Sequence, residues 1–144
     1  VYVGMTQYEN LEAFQTTGQN IGNSTEATTF FNKFDALTYT VLKPAKEGTT
    51  VDLTKVASSG QVLEIAIRDF SKYPNFDKAD YEAKRDAFLA VLAEQPARVA
   101  EFQWVSALDP NIAVGMTVYT NQQAFLQLAS DTTFASNTAV GAFL

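Results

Sequence analysis

Val114-Gly-Met-Thr-Val-Tyr-Thr-Asn-Gln-Gln-Ala-Phe125 has an earlier copy in the same chain, Val3-Gly-Met-Thr-Gln-Tyr-Glu-Asn-Leu-Glu-Ala-Phe14. The two align without a gap, so that Gly4 falls on Gly115, Met5 on Met116, Tyr8 on Tyr119, Asn10 on Asn121 and Phe14 on Phe125. Each copy reads as a strand, then an Asn placed to accept from free helical N–H groups, then an amphipathic helix. A β-α-β unit used repeatedly is the expectation.

Outward from the first copy, Val1, Val3 and Met5 alternate with Tyr2, Gly4 and Thr6, the period-two pattern of a strand. Leu11 and Phe14 share the inner side of the helix that Asn10 caps, and the polar stretch from Gly18 to Gly22 ends it. A second helix is expected from about Ser24 to Phe34, and Leu37, Tyr39 and Val41 then alternate with Thr38 and Thr40 as a second strand. Residues 1–43 therefore read as a β-α-β half-repeat. Residues 44–60 hold Pro44, Gly48, Gly60 and the Ser58-Ser59 pair, and read as a linker.

Residues 61–144 carry a fuller pattern. Val62 to Phe70 is a strand with Leu63, Ile65 and Ile67 on one face and Glu64, Ala66 and Arg68 on the other. Asp77 caps a helix that Pro96 stops, with Phe76 stapled onto Tyr81, with Tyr81, Phe88, Val91 and Leu92 as its apolar stripe, and with Glu82 in reach of Arg85. Glu101 to Leu108 is a strand alternating Phe102 and Trp104 against Gln103 and Val105, and Asp109-Pro110-Asn111 turns it into the repeated strand. Asn121 caps the last long helix, with Ala124, Phe125 and Leu128 inward, and a break at Ser130-Asp131 precedes a short terminal helix. The order β-α-β-β-α is a ferredoxin-like split β-α-β pattern without its last strand. The fold class is α+β with ferredoxin-like repeats and an antiparallel sheet, and the unpaired edge calls for a homodimer or an intrachain pseudo-dimer.

Composition narrows the chemistry. With 144 residues, 47% of them hydrophobic, the chain buries a real core, and a formal charge of −6 disfavours nucleic acid and anionic membrane surfaces as partners. No cysteine means no disulfide or thiolate chemistry, and no histidine means no Ser-His-Asp triad and no ordinary zinc, copper or haem ligation. No phosphate-binding glycine spacing or calcium loop occurs, so no cofactor and no metal are expected. No apolar run reaches membrane length and no signal segment is evident, which favours the cytoplasm.

Carboxylates, Tyr, Lys and Arg remain as reactive groups. Tyr119, with Tyr8 at the equivalent place, falls on the strand face opposite Met116 and can orient an oxygenated aromatic ligand, although barrel packing is the commoner use of such a phenol. Arg85 can hold a carboxylate or enolate, against the plainer role of a partner for Glu82. Trp104, with Phe102, can wall a pocket facing Tyr81 and Phe88, where core packing is the alternative. Glu64 and Arg68 share one strand face as an ion pair or a polar centre inside a barrel, and Gly4 and Gly115 mark a close approach within a strand.

The run Val114 to Phe125, followed by Leu128-Ala-Ser-Asp-Thr-Thr-Phe134, resembles the antibiotic biosynthesis monooxygenase-like domains of the dimeric α+β barrel superfamily. Val62 to Leu144 corresponds to one such domain, and Val1 to Leu42 to the back half of another. The resemblance implies a ferredoxin-like unit whose sheet packs on another sheet to close a barrel. It further implies a cofactor-independent oxygenase of aromatic substrates or a haem-degrading enzyme, working with Asn, Trp and His in a pocket between sheet and helices. The chain departs from that pattern, because it has no His, and no Asn in the strand from Val62 to Phe70. The reading is a monooxygenase-like protein that acts on or binds an apolar aromatic compound without metal, with Tyr119 and Arg85 orienting it and Trp104, Phe88 and Tyr81 around it. The alternative is a non-catalytic binding or assembly module of the same fold.

Overall fold

The structure, a computed structural model, describes residues 3–36 and 38–144. The chain divides into two compact units, Val1–Val41 and Leu42–Leu144.

The first unit holds helices α1 (Leu11–Gly22) and α2 (Thr25–Phe31). Asn10 Oδ1 accepts from the Ala13 N–H at 2.8 Å, and Ser24 Oγ from the Ala27 N–H at 3.2 Å, so both helices start where a short polar side chain replaces the missing backbone acceptor. The strands expected on either side are not formed by residues 3–8 or by residues 38–41, while Val1, Tyr2 and Leu37 lie outside the described residues. A strand has no backbone partners of its own, and among the described residues this unit contains no other strand to supply them.

The second unit is built on a four-stranded antiparallel sheet of order β1-β3-β4-β2, with β1 Leu42–Pro44, β2 Val62–Asp69, β3 Arg98–Ser106 and β4 Ile112–Tyr119. The short β1, starting where the first unit ends, pairs with β3, and its Pro44 sits at an outer edge where no ladder donor is needed. Helices α3 (Lys78–Ala93), α4 (Gln122–Ala129), α5 (Thr132–Ala135) and α6 (Thr138–Phe143) follow the expected order, except that two short helices rather than one end the chain. Asp77 accepts from the Ala79 and Asp80 N–H groups, and the Phe76 and Tyr81 rings meet at 5.7 Å, as the cap and staple predict. On the wet side Glu82 pairs with Lys78 at 3.9 Å, and Arg85 with Asp86 at 2.7 Å, in place of the expected Glu82–Arg85 contact.

Register sorts the sheet into two faces. Glu64, Ala66 and Arg68 lie beside Thr117, Gly115 and Ala113 on one face, and Leu63, Ile65 and Ile67 beside Val118, Met116 and Val114 on the other. Tyr119 extends the first face into a core with Leu92 of α3 and Leu128 of α4, joined by Val62, Phe88, Leu89, Phe125 and Phe134. Each such side chain contributes about 1.5–3 kcal/mol when fully buried. That core fixes α3 over the polar strand face and so encloses the groups described next. Among the described residues no helix is long and apolar enough to cross a membrane.

Candidate active site

Between the sheet and the helices lies a cavity of about 60 Å³, lined by Glu64, Ala66 and Arg68 from β2, Gln103 from β3, Gly115 and Thr117 from β4, Phe88 and Leu89 from α3, and Phe143 and Leu144 at the chain end. Strand alternation accounts for the polar floor, since every second residue of three adjacent strands faces the helices. Gly115 makes room for it. A Cβ there would stand 3.2 Å from Arg68 Nη1 and 3.3 Å from Gln103 Nε2, so the two flanking side chains meet over a position that carries none.

The Tyr119 hydroxyl donates to Glu64 Oε2 at 2.8 Å, and Gln103 Nε2 donates to Glu101 Oε2 at 2.9 Å. Burial, reinforced by the bond and charge of Glu64, pushes the Tyr119 phenol far above its ordinary value. It is therefore a permanent donor in the working pH range and not a proton acceptor. The Arg68 guanidinium carbon lies 4.7 Å from the centre of the Phe143 ring, and among the described residues no carboxylate forms a salt bridge with it. Phe143 stacks on Phe88 at 4.8 Å and 18°, and leans on Tyr81 at 5.7 Å and 35°. Burial raises the Tyr81 phenol, while the nearby Arg68 and Arg85 charges act in the opposite direction.

The residues picked out from the sequence separate into three groups. Phe88 lines the cavity, Tyr81 touches the Phe143 ring at its margin, and Tyr119 reaches it through Glu64. Arg85 stands behind Tyr81, its guanidinium carbon 6.0 Å from that ring, with its Nε and Nη2 both donating to Asp86. Trp104 and Phe102 lie beside Val114 and Met116, on the sheet face turned away from α3, so they do not face Tyr81 and Phe88. Period two is the reason: Gln103, between them, is the β3 residue that points to the helices.

Gln103, Thr117, Leu89, Phe143 and Leu144 are among the lining groups not singled out from the sequence. The alternation that sets Glu64 and Arg68 together also carries Gln103, and Phe143 falls one helical turn after the buried Val140. A second, more open cleft of about 390 Å³ lies among Gln95, Pro96, Ala97, Thr120, Leu128 and neighbours. Its one carboxylate, Asp131, is already bonded to the Thr133 and Phe134 N–H groups of α5. Among the described residues no group of three or more acidic side chains could hold a metal ion.

No protein-family model matches the chain, and no curated protein matches it. Its structure is similar to that of a single-residue variant of SnoaB, described as a cofactor-independent oxygenase from Streptomyces nogalater, with a TM-score of 0.49 and 21% identity over 58% of this chain and 83% of that one. It is also similar to a protein provisionally assigned as a monooxygenase from Fusobacterium nucleatum subsp. nucleatum, with a TM-score of 0.47 and 9% identity over 94% of this chain and 58% of that one. The fold of Leu42–Leu144 is α+β on an antiparallel sheet, the architecture that the sequence resemblance to antibiotic biosynthesis monooxygenase-like domains implies.

Proposed function

We propose that the cavity between sheet and helices takes an apolar aromatic compound and acts on it, without a metal, as a monooxygenase-like enzyme. The observation that carries this reading is Arg68, a guanidinium beside aromatic walls with which, among the described residues, no carboxylate forms a salt bridge. A ring suits Phe88 and Tyr81, and a phenolate or enolate oxygen suits the guanidinium fork. Glu64 stands in the same cavity and is the group placed to take a proton from an acidic ring carbon or hydroxyl. For an activated ring methylene the balanced step is CH2 plus O2 giving C=O plus H2O, so dioxygen is the one co-reactant. Tyr119 is then a positioning residue that holds the Glu64 carboxylate, and Arg85 acts through Tyr81. Oxygen uptake with anthrone-type compounds is expected to fall by about 100-fold or more in Glu64→Gln. Undiminished uptake in that variant removes Glu64 from the chemistry.

A non-catalytic binding module is the second reading, favoured by the small size of the cavity, about 60 Å³. Saturable binding of the same compounds with no oxygen uptake decides for it. In either case we propose that the sheet face bearing Leu63, Ile65, Phe102 and Trp104 closes against a second copy of the chain. Ile67 on that face is 46% exposed. Light scattering is expected to give a dimer mass for the wild type and a lower mass for Ile67→Asp, and a wild-type monomer overturns the assembly.

A further inference from the structure

Resting on that reading of the cavity, we infer that Phe143 occupies the ring-binding subsite, and that a ligand enters by displacing it. The ring of Phe143 makes the contacts expected of a bound aromatic anion. One wall, Phe88, stacks on it nearly parallel at 4.8 Å; a cation, Arg68, sits over it at 4.7 Å; a phenol, Tyr81, borders it at 5.7 Å.

The remaining space cannot hold a ring beside it. A cavity of about 60 Å³ compares with the roughly 150 Å³ apolar cavity that accepts benzene in a packed core. Some side chain must leave, and the surroundings single out which. Tyr81 is held from behind by Phe70 at 4.8 Å and Phe76 at 5.7 Å, and Phe88 is packed on the Leu92–Tyr119–Leu128 core. Phe143 instead meets, in its ring contacts among the described residues, only Tyr81, Phe88 and Arg68 of the subsite itself, and lies one turn beyond Val140, the fully buried residue of its six-residue helix. A change of the Phe143 rotamer empties the subsite while Val140 stays seated.

The ligand class follows from what Phe143 would give up. A planar fused-ring compound replaces its stacking, and a carboxylate or phenolate oxygen on that ring turns the cation–ring contact with Arg68 into a charge-paired hydrogen bond. Gly115 keeps clear the space in which Arg68 reorients.

The test uses naphthalene-2-carboxylate and its neutral carboxamide as probes on the whole chain. With 4-fluorophenylalanine incorporated at position 143, the carboxylate is expected to move the fluorine resonance saturably towards that of the exposed amino acid. In calorimetry Phe143→Ala is expected to bind it at least tenfold more tightly than the wild type, where loss of a mere wall would weaken binding. Arg68→Gln is expected to reduce the preference for carboxylate over carboxamide at least fivefold. Should Phe143→Ala fold poorly, Phe143→Leu and the fluorine label decide. Binding by the wild type with an unmoved fluorine signal, or with no gain in Phe143→Ala, overturns the displacement and leaves the cavity reading standing. No binding by the wild type, Phe143→Leu or Phe143→Ala overturns both.

Discussion

The two copies of the Val-Gly-Met-Thr block are alike in everything local and unlike in everything that needs a neighbour. Asn10 at φ −162°, ψ 177° and Asn121 at φ −168°, ψ 174° take the same backbone conformation, and each accepts from the N–H three residues on at 2.8 Å. Tyr8 meets Phe14 at 5.4 Å, and Tyr119 meets Phe125 at 5.0 Å. Ahead of the cap the likeness stops. Val114 is 1% exposed and Met116 5%, between β2 and β3, whereas Val3 is 65% exposed and Met5 41%. Caps and ring pairs form within a few residues, but a strand exists only where another strand accepts its hydrogen bonds.

The largest effect expected from that difference is at the methionines. Met116→Ala should cost about 2–5 kcal/mol of unfolding free energy, and Met5→Ala no more than about 0.5 kcal/mol, both read from urea transitions. An equal cost would mean that the first copy is buried in solution as the second is here.

The tyrosines come next. Tyr119→Phe removes the bond to Glu64, and is expected to cost about 1.5 kcal/mol near neutral pH, against about 0.5 kcal/mol or less for Tyr8→Phe. The pH dependence has a definite sign. Burial, then Glu64, raise the folded-state value of Tyr119, so the folded chain keeps a proton that the unfolded chain releases near pH 10. The stability from this group is complete below about pH 10 and is lost as pH rises beyond it. Tyr119→Phe should therefore show a shallower alkaline decline than the wild type, and parallel curves would remove Tyr119 from the explanation.

Below these lie the caps, where the copies should agree. Asn10→Ala and Asn121→Ala each lose one side-chain acceptor, expected to weaken the helix start by about 1 kcal/mol. Amide exchange at Ala13 and Ala124 should accelerate by similar factors in the respective variants. A large effect at one cap and none at the other would show that local geometry is not shared.

How much was legible in the chain follows the same line. Period-two alternation placed β2, β3 and β4, and the Asp109-Pro110-Asn111 turn paired the last two, because those signals report structure that their own surroundings complete. The strand expected at the first copy had the same pattern without the partners, and pattern carries no information about partners. Of the site, the polar face of Glu64 and Arg68 was readable from one strand. Trp104, expected with Phe102 to wall a pocket facing Tyr81 and Phe88, lies on the other face, because alternation assigns the pocket's direction to Gln103. Phe143 could not be chosen from sequence, since its place depends on how α6 folds back over α3.

The smallest expected effect is also the one that ties the comparison to the site. Neither Gly4 nor Gly115 has a positive φ, so both backbones accept Ala, and removing Gly lowers the entropy of the unfolded chain by an amount worth about 0.4–1 kcal/mol. At Gly4 nothing lies within 4 Å of the added methyl, and Gly4→Ala should be neutral or slightly stabilising. At Gly115 the methyl would press on Arg68 Nη1 and Gln103 Nε2, the ends of two flexible side chains that must each yield by a few tenths of an ångström. That displacement should offset the entropic gain and leave the net change in unfolding free energy under about 1 kcal/mol. Its consequence belongs in binding: with Arg68 pushed aside, Gly115→Ala should lose preference for naphthalene-2-carboxylate over the carboxamide while Gly4→Ala keeps it. Unaltered preference in Gly115→Ala would mean that the open position in β4 serves strand packing, as in any crowded sheet, and not the guanidinium beside it.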